Sequence, residues 1–220
     1  MGGLRRILVD SPNSLGGRAR LRRAARLLEA FPDLADMRVL DLGGTMAFWG
    51  PMPVLPRQVV TLNHTSHADA DAAEVEWHER RIGDACDPPA DLMVERFDLV
   101  FSNSTIEHVG DRTRRRQFAD AVHKLADRHW VQTPNRYFPL EPHVLFPFQQ
   151  FLPRYGRALV ERYWPLVHTR WKTMDQALAS ADATELIGRR ELSELFPGSE
   201  IEAETVLPLV PAKSLIAICR

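Results

Sequence analysis

The stretch Arg38-Val-Leu-Asp-Leu-Gly-Gly-Thr-Met-Ala47 decides the fold, because a short apolar strand runs there into an acidic residue and two glycines. Gly43 and Gly44 have no Cβ atom, so the backbone can turn sharply at these positions and approach a ligand closely. Asp41 stands where a carboxylate at a strand end can accept hydrogen bonds. The stretch therefore predicts a small-molecule binding site after the first strand.

The composition fits one globular domain. Of the 220 residues, 45% are hydrophobic and 26% are charged, which allows a sizeable core beneath an ordinary polar surface. The 28 basic and 29 acidic residues give a formal charge of −1, so no global field would attract nucleic acid. We expect a small-molecule substrate, no nucleic-acid partner, no integral membrane segment, and a monomer or homodimer.

Cysteine usage and the N-terminal sequence predict where the protein works. Cys86 and Cys219 are the only cysteines, and they form no metal-binding or redox motif, which favours a reducing, cytoplasmic setting. The apolar run at residues 7–9 is too short for the core of a signal peptide. We therefore expect a cytoplasmic protein.

The hydrophobic pattern alternates between strands and helices. Strands are expected at residues 38–42, 58–62, 97–102, 130–133 and 214–219, with weaker ones near 81–82 and 200–206. Helices are expected over residues 16–30, with Leu21, Ala24, Ala25 and Leu28 on the apolar face, and over 111–128, with Asp111 as the N-cap. This alternation is typical of an α/β protein with a mainly parallel sheet.

An aromatic and proline-rich insertion follows the fifth strand. Residues 134–165 contain six of the 16 prolines and eight of the 18 aromatic residues, which a plain crossover helix would not need. Parallel sheets bind ligands at the carboxyl ends of their strands, so the insertion is expected to form a lid or pocket wall. A satellite hydrophobic cluster that only covers the sheet is the alternative.

Four motifs follow one another along the chain: the glycine-rich stretch Asp41-Leu-Gly-Gly-Thr-Met-Ala47, Asn63 at the end of the second strand, Gly83-Asp84-Ala85, and residues 97–109. They resemble those of the class I S-adenosylmethionine-dependent methyltransferases. The first is similar to the family's first motif, Asn63 holds the place of its ribose-binding acidic residue, and the last two resemble its adenine-contacting turn and its fourth-strand motif. The chain departs from the pattern at Asn63, because an amide brings no charge to a ribose hydroxyl.

The resemblance implies a fold, a cofactor and a set of binding residues. It implies a doubly wound, mostly parallel seven-stranded sheet, the Rossmann-like methyltransferase fold, in a single domain over residues 1–220. Residues 1–36 would be an N-terminal helical extension, and residues 134–185 a lid or substrate insertion. The implied cofactor is S-adenosylmethionine, bound by Asp41, Gly43, Gly44, Thr45, Asn63, His64, Asp84, Ala85, Ser102 and Asn103.

The predicted reaction is methylation of a small molecule, with oxygen as the expected acceptor atom. A hydroxyl acceptor must lose a proton, which requires a base within hydrogen-bond reach. His143 is the first candidate for that base and Glu141 the second, because both follow the fifth strand at the expected ligand edge. His108 is a further candidate, and Arg136 could pair with an anionic acceptor.

Three alternatives accompany this prediction. The first is a cofactor- or partner-binding protein that has the same fold and no catalytic activity. The second is a nicotinamide-dependent oxidoreductase, although the register from Gly43 matches only the first glycine of the dinucleotide fingerprint. The third is a metal site at His64, His67, Asp69 and Asp71; a clear third ligand is lacking, so we expect no metal. The basic run at residues 112–116 is expected to be a solvated helix face.

Overall fold

The computed structural model describes residues 15–65, 75–141, 144–167, 169–206 and 208–220, and side chains from Leu21 onward. Its strands are β1 (Arg38–Leu42), β2 (Gln58–Asn63), β3 (His78–Ile82), β4 (Leu99–Asn103), β5 (His129–Pro134), β6 (Leu140–Glu141), β7 (Phe146–Pro147), β8 (Glu200–Glu204) and β9 (Ser214–Cys219). Its α-helices are α1 (Leu15–Ala30), α2 (Met46–Trp49), α3 (Ala90–Val94), α4 (Arg112–Leu125), α5 (Arg154–Tyr163), α6 (Met174–Asp182) and α7 (Arg189–Leu195).

Seven strands form one sheet in the order β3-β2-β1-β4-β5-β9-β8. Strands β1 to β5 are parallel, whereas β9 pairs antiparallel with both β5 and β8. The predicted doubly wound, mostly parallel sheet is therefore confirmed. Strand β1 lies between β2 and β4, so the chain reverses its winding direction there, and such switch points are where open α/β sheets bind ligands.

Both faces of the sheet are buried, because successive side chains of a strand point to opposite sides. Val39, Phe101 and Trp130 lie in the core layer that includes buried residues of α1 and α2. Leu40 and Val100 lie in the opposite layer, which they share with α4 and α7. Strands covered on both faces explain the nearly continuous apolar runs in the sequence.

Helix α4 forms as the sequence predicts, although it ends at Leu125. The side chain of Asp111 accepts a 3.0 Å hydrogen bond from the backbone nitrogen of Arg114, which is the expected N-cap. Phe118, Val122 and Leu125 are buried against the sheet.

The apolar face predicted for α1 is wrong in part. Leu21 is 59% exposed and Ala25 is also exposed, while Leu27 is fully buried beside Ala24. Arg23 is buried as well, and its guanidinium donates a 2.7 Å hydrogen bond to Glu204 on β8. The buried face of the helix therefore includes Arg23, which apolar spacing alone does not indicate.

The segment between β5 and α7 has its own secondary structure. The short β6–β7 hairpin precedes a 3-10 turn at Gln149–Phe151, and α5 and α6 follow. Ala158 of α5 packs against Ala177 and Ala181 of α6 in a small separate core, where small side chains allow the helices to approach closely. Among the helices in the described ranges, none is both long and apolar enough to cross a bilayer.

Candidate active site

The turns after β1 and β4 touch at the switch point of the sheet. Gly43 has a φ of +79°, and a Cβ atom there would lie 2.4 Å from Oγ1 of Thr105. The same hydroxyl of Thr105 donates a 2.9 Å hydrogen bond to the carbonyl oxygen of Leu42. Glycine is therefore required at position 43 for two reasons: the positive φ, and the close approach of the turn after β4.

Asp41 is fully buried beneath the glycine turn. Its Oδ2 atom accepts a 2.7 Å hydrogen bond from the indole nitrogen of Trp49, which is also fully buried. A Cβ atom on Gly44 would lie 1.7 Å from that same Oδ2 atom. The turn can hold this carboxylate only because residue 44 is glycine.

Asn63, at the end of β2, supports the same turn. Its side-chain nitrogen donates a 2.9 Å hydrogen bond to the carbonyl oxygen of Gly44. Thr45 next in the chain is the N-cap residue of α2, without a side-chain capping bond. His64 is largely exposed, and its Nε2 atom lies 3.6 Å from Oδ1 of Asp84. The predicted ribose and adenine positions are thus neighbours in space.

Asp84 is held by two donors on the turn after β3. Its Oδ1 atom accepts a 2.8 Å hydrogen bond from the backbone nitrogen of Cys86, and its Oδ2 atom accepts one from Arg114 of α4. Burial is the largest single influence and would raise the pKa of Asp84, but the hydrogen bonds from Arg114 and from the backbone of Cys86, with the nearby positive charge, together outweigh it, so the pKa lies below its ordinary value. The carboxylate stays charged at neutral pH beside the buried Ala85.

Cys86 is no candidate nucleophile. Burial raises the pKa of its thiol to about 11, so the thiolate is scarce at neutral pH.

The end of β4 carries polar side chains that fix the backbone. Ser102 is fully buried and donates a 3.0 Å hydrogen bond to the carbonyl oxygen of Leu42. Asn103 accepts a 2.7 Å bond from the guanidinium of Arg23, so α1 reaches this edge of the sheet. Ser104 has a φ of +60°, a backbone conformation that few non-glycine residues adopt.

A 3-10 turn at Ile106–His108 leads from this edge toward the insertion that follows β5. The backbone nitrogen of His108 donates a 2.8 Å hydrogen bond to the carbonyl oxygen of Thr105, the residue that touches Gly43. The Nδ1 atom of His108 lies 3.3 Å from the hydroxyl of Thr184. Glu107 is fully buried and accepts a 3.1 Å bond from Thr133.

A pocket of about 630 Å³ has His108 in its wall. Apart from His108, its lining comes from the segment between β5 and α7, and Phe151 and Trp171 are its only described aromatic residues. Charged side chains share the wall with these two rings: Arg136, Glu141, Arg157, Glu161, Asp182 and Glu185. The volume falls in the range of small-molecule pockets, about 300 to 1,000 Å³.

The expectation of an aromatic wall is therefore corrected. Tyr137, Phe148, Tyr155 and Tyr163 are each more than half exposed, because they lie on outward faces of the insertion. Polar and charged groups take much of the wall that the aromatic residues were expected to supply.

Two glutamates lie deep in this pocket. Glu141 is 3% exposed and accepts a 2.8 Å hydrogen bond from the backbone nitrogen of Val144. Glu161 is 8% exposed and accepts hydrogen bonds from Ser180 and Trp171. Burial is the main reason why the pKa of Glu161 lies above its ordinary value, and the negative charge of nearby Glu141 adds to the effect.

Several predicted residues lie outside the described part of the chain. His143, the first candidate base, is one of them, and so are His67, Asp69 and Asp71 of the weighed metal site. Within the described residues no group of three or more histidine, cysteine, aspartate or glutamate side chains could hold a metal ion.

Sequence reasoning missed two arginines of α4. Arg114 binds Asp84, and the guanidinium of Arg115 is 3% exposed and bonds to Glu185 at 2.9 Å and Glu191 at 2.8 Å. The solvated basic face predicted for residues 112–116 is therefore wrong at these two positions. The signal was the position of both residues on the first turn of α4, near the sheet edge where the ligand site was expected.

Comparison by sequence identifies no relative: no family model matches the chain, and no curated protein matches it. Comparison by structure finds proteins with the same fold. The complex of DhpI with SAM and HEP superposes with a TM-score of 0.58 at 18% identity, covering 96% of this chain and 90% of that one.

The names of two further structures specify different methylated atoms, nitrogen in one and carbon in the other. The N-methyltransferase NodS from Bradyrhizobium japonicum WM9 gives a TM-score of 0.52 at 13% identity and covers 91% of this chain and 95% of that one. The carbon methyltransferase CurJ gives a TM-score of 0.58 at 12% identity, and the superposition covers 98% of this chain and 57% of that one. The chain therefore has the fold of the class I S-adenosylmethionine-dependent methyltransferases.

Proposed function

We propose that this chain is an S-adenosylmethionine-dependent methyltransferase that methylates a small molecule, with oxygen as the acceptor atom. The observation that carries the proposal is the continuity between two sites. Thr105 touches Gly43 at the switch point, and three residues later His108 lines the pocket of the insertion. A cofactor at the switch point would thus lie next to an acceptor in the pocket.

The residues at the sheet edge fit this cofactor. The glycine turn presents backbone without side chains, and the buried Asp41 beneath it is held in place by Trp49. The amide of Asn63 would bind a ribose hydroxyl through its oxygen, since its nitrogen is bonded to Gly44. The carboxylate of Asp84 would accept a hydrogen bond from the adenine amine.

The remaining predicted contacts lie on the same edge of the sheet. Thr45 and His64 would flank the methionine and ribose parts, Ala85 would meet the adenine ring, and Ser102 and Asn103 would lie near the methionine end. The SAM named with DhpI and the methyltransferase names of NodS and CurJ support this assignment.

The proposed mechanism asks the protein mainly to orient the acceptor and to remove a proton. When bound, S-adenosylmethionine supplies a sulfonium methyl group, whose transfer forms a carbon–oxygen bond as the carbon–sulfur bond breaks. The pocket would hold the acceptor hydroxyl in line with that bond, which can lower the barrier by about 7 kcal/mol in favourable cases. The hydroxyl proton passes to a protein base.

Three groups are proposed for that base. Glu141 lines the pocket, and the backbone nitrogen of Val144 fixes its carboxylate. His108 lies between the pocket and the switch point, and Thr184 orients its ring. His143 follows Glu141 by two residues in the sequence and stays the prediction made from the sequence. Residues 134–185 would form the substrate-binding insertion of a single domain.

Calorimetric titration tests the cofactor assignment. We expect S-adenosylhomocysteine to bind, NADH not to bind, and the affinity for S-adenosylhomocysteine to fall at least about tenfold in Asp84→Ala. Glu200→Gln, an exposed change on β8, is the matched control and should leave the affinity unchanged. Binding of NADH instead would favour the oxidoreductase, and binding of neither would refute the proposal.

Methyl transfer separates an active enzyme from an inactive binding protein. The protein is incubated with methyl-labelled S-adenosylmethionine and a small-molecule extract of the source cells, and labelled products are separated by chromatography. A labelled product that depends on the protein supports the enzyme. Tight binding of S-adenosylhomocysteine without any labelled product would support the inactive alternative.

A further inference from the structure

Helix α5 carries its apolar face on the outside. Arg157 and Glu161 line the pocket, so this charged side of the helix points inward. Tyr155, Leu159 and Tyr163 are 40% to 62% exposed and are spaced four residues apart, so they form one ridge along the outer side. A surface helix normally buries its apolar stripe and exposes its charges. The reversed arrangement indicates that the ridge is a binding surface.

The exposed apolar surface continues beyond the helix. The 3-10 turn Gln149–Phe151 packs against α5, and Phe151 is exposed. The ring centroid of Phe151 lies 6.4 Å from that of Tyr137, which is exposed as well. We call these side chains the outer patch: Tyr137, Phe151, Tyr155, Leu159 and Tyr163. Three of the five are tyrosines, whose amphipathic rings are typical of the boundary between lipid and water.

The segment that carries most of this patch is basic. Between β7 and the start of α6, residues 148–173 contain five basic residues and one acidic residue, Glu161: the basic residues are Arg154, Arg157, Arg162, Arg170 and Lys172. Because Glu161 is buried in the pocket, it contributes little negative charge to the outer side. The whole chain has a formal charge of −1, so the positive charge here is a local feature.

Three of these basic residues are available to an anionic partner. Arg154 is paired with Asp182, and Arg157 faces the pocket. Arg162, Arg170 and Lys172 form no ion pair with any residue that the structure describes. The guanidinium carbon of Arg162 lies 5.2 Å from the ring centroid of Tyr163, so one of the three positive charges stands directly beside the outer patch.

A second copy of the chain would not suit this surface. A twofold interface brings the same surface of both copies together, so the positive charges around Arg162 would face one another. Like charges that meet across an interface cost binding free energy, and Glu161, turned into the pocket, cannot offset them. An anionic lipid surface suits both features, because lipid phosphates attract arginine and the headgroup region accepts aromatic rings.

We propose that the outer patch and Arg162 bind the surface of an anionic membrane. The aromatic side chains would enter the headgroup region, and the guanidinium of Arg162 would bind lipid phosphates. Helix α5 would then lie in the plane of the interface with Arg157 and Glu161 on the side away from the lipid. The binding requires no methyl transfer, so its failure would leave the proposed function intact.

Co-sedimentation of the full chain with lipid vesicles tests the proposal. One set of vesicles is phosphatidylcholine alone, and the other contains equal parts of phosphatidylcholine and phosphatidylglycerol. We expect the chain to sediment with the anionic vesicles at low salt and to bind the neutral ones at least about tenfold more weakly. Raising the salt concentration should release it, because salt screens the attraction. Absence of binding to the anionic vesicles overturns the proposal and would favour an acidic protein as the partner.

Variants of the patch locate the binding surface. The double change Tyr155→Ser with Leu159→Ser should weaken binding to anionic vesicles about tenfold, because it removes apolar side chains that enter the lipid. Arg162→Gln should weaken it about fivefold through the loss of one positive charge near the surface.

The matched controls lie outside the insertion. Val94→Ser on α3 and Arg190→Gln on α7 change an exposed apolar residue and an exposed arginine, and both should bind like the wild type. Melting curves should show that all variants are folded. Unchanged binding in the patch variants, or an equal loss in the controls, overturns the outer patch as the membrane site. A dimer that becomes a monomer in the double variant would show that a second copy covers the patch instead.

Discussion

The indole nitrogen of Trp49 donates a 2.7 Å hydrogen bond to Oδ2 of Asp41, and both side chains are fully buried. Trp49 belongs to the four-residue α2 that follows the glycine turn, so this bond ties the end of β1 to the next connection. Gly44 adds the space that the carboxylate occupies. Asp41 is thus fixed by two neighbours in sequence, as a preorganised binding site requires.

Gly44→Ala should damage the proposed cofactor site, because the new Cβ atom would meet Asp41 at 1.7 Å. We expect a loss of about 2 kcal/mol in the free energy of unfolding and at least a tenfold loss in S-adenosylhomocysteine affinity. Urea unfolding and calorimetry measure the two effects. Gly156→Ala is the control, since its Cβ would have ordinary contacts at 3.4 Å and alanine favours the helix. Equal behaviour of the two variants would contradict the close packing at residue 44.

Trp49→Phe should destabilise the protein by about 1 to 3 kcal/mol, because it removes a donor to a buried carboxylate. Urea unfolding measures this change in the free energy of unfolding. Trp77→Phe makes the same chemical change beside the same core layer, where Trp77 is only partly buried, and should cost less. If Trp77→Phe costs as much as Trp49→Phe, the bond to Asp41 contributes nothing beyond packing.

Arg114→Met should raise the pKa of Asp84, because burial would then act without the opposing guanidinium. In the wild type the pKa lies below 3.8, so the carboxylate is charged throughout the usual working range. We expect the affinity of the variant for S-adenosylhomocysteine to fall on mild acidification, where the wild type is unaffected. Calorimetry at several pH values measures this. Arg112 is the first residue of α4 and is largely exposed. The affinity of Arg112→Met for S-adenosylhomocysteine should therefore depend on pH as that of the wild type does.

Arg23→Met should be most damaging near neutral pH. Burial would raise the pKa of Glu204, but the charge and the hydrogen bond of Arg23, with smaller contributions from Ser214 and Lys213, together outweigh it, so the pKa lies below its ordinary 4.5. Such a carboxylate stabilises the folded state above about pH 4.5, and the contribution is lost as the pH falls through the folded pKa.

Without Arg23, Glu204 is a buried charge that prefers to be protonated, so the stability gap between variant and wild type should narrow toward acid pH. Melting temperatures from pH 7 down to pH 4 measure the gap. Arg22→Met, an exposed neighbour on α1, should change stability little at any pH. A gap that is constant with pH would contradict the electrostatic role of the Arg23–Glu204 pair.

Variants of the three proposed bases should separate their roles once a labelled product is known. We expect His108→Asn, Glu141→Gln or His143→Asn to lower kcat by about a hundredfold if that residue accepts the proton. Affinity for S-adenosylhomocysteine should be unchanged, because none of the three is assigned to the cofactor. Full turnover in all three variants would show that the acceptor needs no protein base.

The sequence allowed the fold and the glycine turn after β1 to be predicted because their signals are local. An apolar strand that ends in Asp41 and two glycines, or a helix that begins at Asp111, is encoded within a few neighbouring residues. Helix α1 and the basic run of α4 were misjudged for the opposite reason. Arg23 is buried by Glu204, 181 positions away, and Arg115 by Glu185 and Glu191, and such partners leave no periodic signal.

The sequence by itself determined the seven strands of the main sheet, their alternation with helices, and the turn that requires Gly43 and Gly44, since backbone conformation and burial pattern are set by nearby residue types. Only the tertiary structure decided that Thr105 closes against Gly43, that His108 joins this edge to the pocket, and that the pocket wall is charged. These features arise where distant segments meet, and the packing of the whole chain determines which side chains face one another.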